Sequence, residues 1–242
     1  MSTLGQVRFA CPGCGVQASG EVGIVLNVGR RPDFRADVLG RRLNTLSCDA
    51  CGRRTRIDRT VALLDFERLQ WVVCYPTWAE IHWKSLSGAT TGSFLRTLGA
   101  VPAADRGGPL SDWKLRVVFG PEALREKYVA WDAGLDDTAI EMEKVALLSG
   151  SPSRYAARIH LRVAGPRREW GVETNDGAVV AIDTPELVPP DLFNREELSA
   201  DPFVSYRRWL VVPRAADPLT FDIDGRLNVW SVRDQIQAPP SN

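Results

Sequence analysis

Histidine is scarce in this chain: His82 and His160 are the only two in 242 residues. A cysteine or serine nucleophile would therefore have few bases to choose from. Lysine is sparse too, at positions 84, 114, 127 and 144, so arginine carries nearly all the positive charge. With the alanine, glycine and proline content, this composition suggests a GC-rich bacterial genome. No apolar run approaches the roughly 20 residues of a membrane span. There is no phosphate-binding glycine loop, no nucleophile elbow, no His-Glu-x-x-His and no internal repeat. Thirty basic residues balance thirty acidic ones, so no net charge marks the chain for nucleic acid or a membrane surface. Met1 leads into a polar segment without a secretory signal, which predicts a reducing, cytoplasmic setting.

Cysteine is also rare, but its placement is informative. Four of the five cysteines form two pairs, Cys11-Pro12-Gly13-Cys14 and Cys48-Asp49-Ala50-Cys51. Glycines stand at Gly13, Gly15 and Gly52, where the chain must curl tightly. Two such pairs supply the four thiolates of a tetrahedral structural zinc site, and a filled four-sulfur site leaves no open position for catalysis. Two disulfides are a chemical alternative, disfavoured by the reducing compartment. A redox Cys-x-x-Cys calls for one pair, not two matched ones. The stretch between the pairs is longer than in a simple ribbon and must hold structure of its own. The fifth cysteine, Cys74, lies in the apolar run Leu69–Tyr75 and reads as an inert core residue.

Several stretches taken together resemble the CpXC domain of bacterial and archaeal proteins. They are the first pair, Val25-Leu26-Asn27-Val28, Pro32, Leu39-Gly40, Leu43-Asn44, and the second pair with Gly52. A second block agrees: Leu115–Gly120, Ala123–Lys127, Gly134–Asp137 and Ile140–Lys144. The resemblance covers Val7 to at least Leu148. It departs at Asp49, where that family usually has proline, a change in turn stiffness and not in ligands. It implies a zinc-holding fold that continues past the second pair, and it implies no reaction.

The expected fold is α+β: a zinc ribbon with an inserted hairpin and helix, joined to a mixed or antiparallel sheet packed by two or more helices. The expected divisions are a ribbon region at 1–60, an α+β domain at 61–236 and a disordered tail at 237–242. Strands are expected at Gln6–Ala10, Val16–Val28, Thr55–Leu64, Leu69–Tyr75 and Trp113–Phe119. A short helix should follow Pro32 and close at Gly40. Thr77–Glu80 has the form of a capping box, whereas Ser85–Gly92 and Ala103–Ser111 read as loops. Pro121 opens a helix whose apolar stripe is Leu124, Tyr128 and Trp131, ended by Gly134. A second helix should carry Leu135, Ala139, Met142 and Ala146 on one face. Beyond it, Tyr155–Val163 reads as a strand, and Asn175-Asp176-Gly177 marks a hairpin. A helical stretch at Phe203–Leu210 and a hairpin about Asp224-Gly225 complete the reading.

Two charged groups qualify as candidate functional residues. The ribbon region is rich in arginine, and Arg30, Arg31, Arg41, Arg42, Arg53 and Arg54 are its candidate contacts to nucleic acid or a partner. Few aromatic residues accompany them for base stacking. Asp136, Asp137 and Glu141 are candidate functional carboxylates, although acids at a helix start, near Lys127 and Lys144, are also what capping and ion pairing predict. Three functions follow. A non-enzymatic protein-interaction or regulatory module, with another protein as partner, fits a closed zinc site best. A nucleic-acid-binding regulator would use the arginines. An enzyme would use the 132–143 carboxylates or Cys74. The sequence does not specify an oligomeric state.

Overall fold

The structure is a computed structural model. It describes residues 2–102, 104–136, 139–141, 143–144, 156–163, 168–174 and 179–184. The chain divides into two compact units, Met1–Arg125 and Glu126–Asn242.

The first unit is built on a five-stranded mixed sheet in the order β1-β2-β5-β6-β7. Its strands are β1 (Thr3–Ala10), β2 (Gln17–Asn27), β5 (Val61–Asp65), β6 (Gln70–Tyr75) and β7 (Lys114–Phe119). The β1–β2 and β5–β6 pairs are antiparallel, whereas β2–β5 and β6–β7 are parallel. Each parallel step needs a crossover, and the intervening segments supply them. Helix α1 (Pro32–Leu39) and a small antiparallel pair, β3 (Thr45–Ser47) with β4 (Arg54–Arg56), lie between β2 and β5. Helix α2 (Trp83–Gly99) lies between β6 and β7. Strands β1 and β2, from residues 1–60, thus share one sheet with strands from beyond that span. The sheet interior is made by Leu26, Leu63, Val72, Val117 and Val118, all fully buried.

Several local expectations change. Ser85–Gly92 is not a loop but part of α2. Trp83, Ser87, Thr90, Phe94 and Leu98 are all buried and recur at helical spacing. Small polar residues along that face take part in hydrogen bonds. The Tyr75 and Thr90 hydroxyls are 3.0 Å apart, and the Thr91 hydroxyl donates to the Ser87 carbonyl at 3.0 Å. Phe94 anchors the helix edge-on to Trp71 of β6. The capping box at Thr77–Glu80 does not form; Thr77–His82 is a 3-10 turn without a side-chain cap. Trp83 is buried there, while Trp78 stays 69% exposed. The stretch Thr55–Leu64 splits into β4 and β5, which belong to different sheets.

The short helix α1 closes with a one-residue offset. Gly40 has an ordinary φ of −83°, and the left-handed residue is Arg41, with φ 58°. The bonds Arg42 N to Asp37 O and Arg41 N to Val38 O form a Schellman motif with arginine in glycine's usual place.

Helix α3 (Pro121–Asp132) begins in the first unit and ends in the second. Leu124 is buried in the first unit. Leu124→Ala is expected to cost about 2–5 kcal/mol in denaturant unfolding, the range for truncating a buried leucine. Tyr128 and Trp131 are buried in the second unit and meet edge-to-face at 5.8 Å. Bonds from Gly134 N to Trp131 O and from Leu135 N to Ala130 O end the helix. Further helical residues occur at 139–141 and 143–144. An antiparallel sheet in the order β10-β9-β8 follows, made of β8 (Ala156–Val163), β9 (Arg168–Thr174) and β10 (Val179–Thr184). Ala130, Ile140, Ile159, Leu161 and Trp170 form this unit's core. The fold class is therefore α+β with a mixed sheet. Met142, Ala146, the Asn175–Gly177 turn, the 203–210 helix, the Asp224-Gly225 hairpin and the 237–242 tail lie outside the described residues.

Candidate metal centre

Each cysteine pair sits in the loop of a hairpin. Ala10 pairs with Gln17, leaving residues 11–16 as the first loop, and Ser47 pairs with Arg54, leaving 48–53 as the second. The two six-residue loops repeat the same bonds. Cys11 N donates to Val16 O at 2.9 Å, and Gly15 N to Cys11 O at 2.8 Å. Cys48 N donates to Arg53 O at 2.9 Å, and Gly52 N to Cys48 O at 2.7 Å. Gly15 and Gly52 stand at equivalent positions with φ of +74° and +71°. A side chain is disfavoured in that conformation, which explains why glycine follows each second cysteine. In each loop the first cysteine is buried and the second exposed.

These loops bring four sulfurs together, all within 4.8 Å of one another. Cys11 Sγ lies 3.6 Å from Cys51 Sγ, and Cys14 Sγ lies 3.7 Å from Cys48 Sγ. Both distances far exceed a disulfide bond of about 2.0 Å. Gly13 N donates to Cys11 Sγ at 3.3 Å, and this bond is the main cause that lowers the Cys11 pKa to about 6. Cys14 accepts from the Val16 backbone, which favours its thiolate, but the thiols of Cys51, Cys48 and Cys11 together with desolvation push it up to about 12. Four thiols this close can all ionise only around a cation, and the arrangement is suited to hold one metal ion. Among the described residues, no other group of three or more cysteine, histidine or acidic side chains has ligand-like proximity.

The two hairpins are locked together beside this centre. The Asn44 side chain accepts from Gly23 N at 2.7 Å and donates to Gly23 O at 3.3 Å. Leu46 lies against Gly20, where an added Cβ would be only 2.8 Å from its Cδ1. Gly20→Val is expected to push β3 away and lower the melting temperature, a change readable by calorimetry.

The candidate arginines do not converge on one site. Arg31 pairs with Asp33 at 2.6 Å, Arg42 with Asp37 at 3.1 Å, and Arg41 with Glu122 at 2.8 Å. Arg31 also lies 4.5 Å from the Phe34 ring. Arg53 covers the first loop, its Cδ meeting the place where a Gly13 Cβ would stand. Arg30, Arg53 and Arg54 are exposed, with no ion pair among the described residues. Cys74 stands apart from the four-sulfur cluster, buried, with its thiol 3.4 Å from the Gly120 carbonyl.

The carboxylates separate as well. Asp136 is exposed, and its carbonyl accepts from Ile140 N at 3.1 Å, as the residue before a helix should. Asp137 lies outside the described residues. Glu141 is buried, bonded to Lys127 at 2.5 Å and to Lys144 at 2.7 Å. Burial raises its pKa, but those two ammonium groups outweigh it and hold the carboxyl at about 2. Lys144 also reaches Glu126 Oε1 at 2.6 Å, and Glu126 Oε2 accepts from Leu161 N at 2.7 Å. His160 Nδ1 is 4.0 Å from the same oxygen, and Arg168 pairs with Glu143. Glu126 and Glu141 thus meet Lys127 and Lys144 inside the second unit's core. Glu126 was not a sequence candidate. The available signal was Lys127, a charge set between Leu124, Tyr128 and Trp131 on the apolar stripe of α3.

The fold and the sulfur cluster define an α+β protein suited to metal binding through two cysteine hairpins. The model of the CpXC protein family matches residues 9–144, and the chain belongs to that family. That span takes in both cysteine loops, the five-stranded sheet from β2 onward, and α3 through Lys144. Searches of curated proteins and of solved structures each found no match.

Proposed function

We propose that Cys11, Cys14, Cys48 and Cys51 hold one structural zinc ion in a ribbon-like pair of hairpins. On this reading, the metal-stapled arm serves a non-enzymatic protein-interaction or regulatory role. The carrying observation is the sulfur spacing. A tetrahedron with zinc–sulfur bonds of about 2.3 Å has edges of about 3.8 Å, close to the 3.6 and 3.7 Å contacts. Four protein sulfurs fill such a site, so no position remains for substrate. Softness of the donors favours zinc over magnesium or calcium.

The interaction role rests on the tip of the arm. Pro12, Gly13, Cys14 and Val16 are exposed on a loop that a metal would make rigid, and Val16 is an apolar residue at 49% exposure. Rigid presentation lowers the ordering cost of association. The test is affinity capture from the native host with the zinc-loaded chain and with a Val16→Asp variant. A defined protein retained by the first and lost from the second supports the role. Equal retention by both rejects the tip as its contact.

Of its six candidate arginines, the nucleic-acid reading keeps Arg30, Arg53 and Arg54 outside ion pairs among the described residues. Any such binding is expected to be weak and to fall steeply with salt. Sequence-selective binding that survives physiological salt in a titration series would reverse this ranking. The enzyme reading loses its central carboxylate, because Glu141 is enclosed by lysines rather than open to a substrate.

A further inference from the structure

A cleft opens in the first unit, away from the four sulfurs. Val38, Leu43, Ile57, Val61 and Leu124 give it an apolar lining. Arg41, Arg56 and Arg59 also line it, with Asp58 as the one carboxylate in the wall. Arg41 is already neutralised by Glu122. Arg56 and Arg59 have no ion pair among the described residues. Pro121, the first residue of α3, completes the wall and brings the positive end of that helix to the cleft.

The wall formed by residues 40–44 is held in shape from three sides. Two of its residues are non-glycine positions in the left-handed region, Arg41 at φ 58° and Asn44 at φ 53°. The Arg41 guanidinium is fixed bidentately by Glu122, its carbonyl accepts from Arg56 Nη2 at 3.2 Å, and Asn44 is pinned to the Gly23 backbone. Arg56 therefore braces the wall and lines the cleft at once. A preformed apolar hollow with cationic groups at its wall matches one kind of ligand.

We infer that this cleft binds a small organic anion, an apolar body bearing a carboxylate or phosphate group that Arg56 and Arg59 recognise. The guanidinium fork suits either oxyanion. The site requires neither the metal nor a protein partner, so its success or failure is independent of the function proposed above.

The test is calorimetric titration of the full chain, as purified with its metal, with benzoate, phenyl phosphate and neutral benzamide. The inference expects saturable binding of at least one anion, with benzamide roughly tenfold weaker, as loss of a charge-assisted contact predicts. The stronger of benzoate and phenyl phosphate identifies the oxyanion. Arg59→Gln should weaken the anion by about tenfold. Leu43→Trp should fill the cleft and abolish binding, and it serves as the second arm should Arg59→Gln fail to fold. Absence of any anion binding up to about 10 mM overturns the inference. So does benzamide binding as tightly as benzoate, or affinity unchanged in the folded variants.

Discussion

The double variant Cys14→Ser, Cys51→Ser is expected to lose its metal and the order of both cysteine loops. Structural zinc in small modules is worth on the order of 10–16 kcal/mol near neutral pH. That is comparable to the whole stability of a typical domain, about 5–15 kcal/mol. The second loop has little else to hold it: Cys51 is exposed, and β3 and β4 have three residues each. The disorder should stop short of the sheet. Strand β2 is anchored to β5 at Val25, Leu26 and Asn27, and Leu26 is completely buried. Hydrogen exchange should therefore show lost protection at Cys11, Gly15, Cys48 and Gly52, with protection kept in β5 and β6. Acid should act in the same direction, because protonated thiols release the metal as pH falls. Undiminished metal content in the double variant would remove the cluster from the account.

The second large effect is expected at Glu141. Glu141→Leu removes the carboxylate that both Lys127 and Lys144 contact in the core. Breaking a buried ion pair from one side typically costs about 3–5 kcal/mol. Adding Lys127→Met removes one of the two ammonium groups deprived of that carboxylate, with Lys144 and Glu126 still paired, so the double variant should recover much of that loss. Denaturant unfolding of the two single variants and the double variant measures the coupling directly. The pH dependence has a fixed sign. The folded pKa of about 2 lies below the ordinary 4.5, so this group's contribution is complete above pH 4.5 and fades as pH falls towards 2. If Glu141→Leu abolished a cellular activity without changing the unfolding curve, the carboxylate would belong to a functional site instead.

The parts of the fold that were legible in the sequence carry strong local chemistry. The cysteine loops announce themselves because thiolate pairs and left-handed glycines have few other uses together. Strand β6 and helix α3 are legible because their apolar periods match their geometry. Helix α2 was not, because Ser85–Gly92 contains small polar residues that local rules assign to loops. Its buried face became visible only once Ser87 and Thr90 could be set beside Trp83, Phe94 and Leu98. Which arginines are paired was not legible for a related reason. Composition counts charges, whereas Glu122, 81 residues from Arg41 in sequence, decides whether that charge is available. The ion cluster at Glu126 likewise depends on β8, which supplies Leu161 N from 35 residues away. Only the lysine embedded in an apolar stripe pointed towards it.

The central claim is that four cysteines from two hairpins share one structural zinc ion. The most direct measurement is elemental analysis joined to zinc-edge X-ray absorption on the protein purified without added metal. The account predicts about one zinc per chain, bound by four sulfurs at about 2.3 Å with no oxygen or nitrogen ligand. A metal-free protein with the four thiols folded and reactive, or a zinc shell of mixed ligands with an open position, would contradict it.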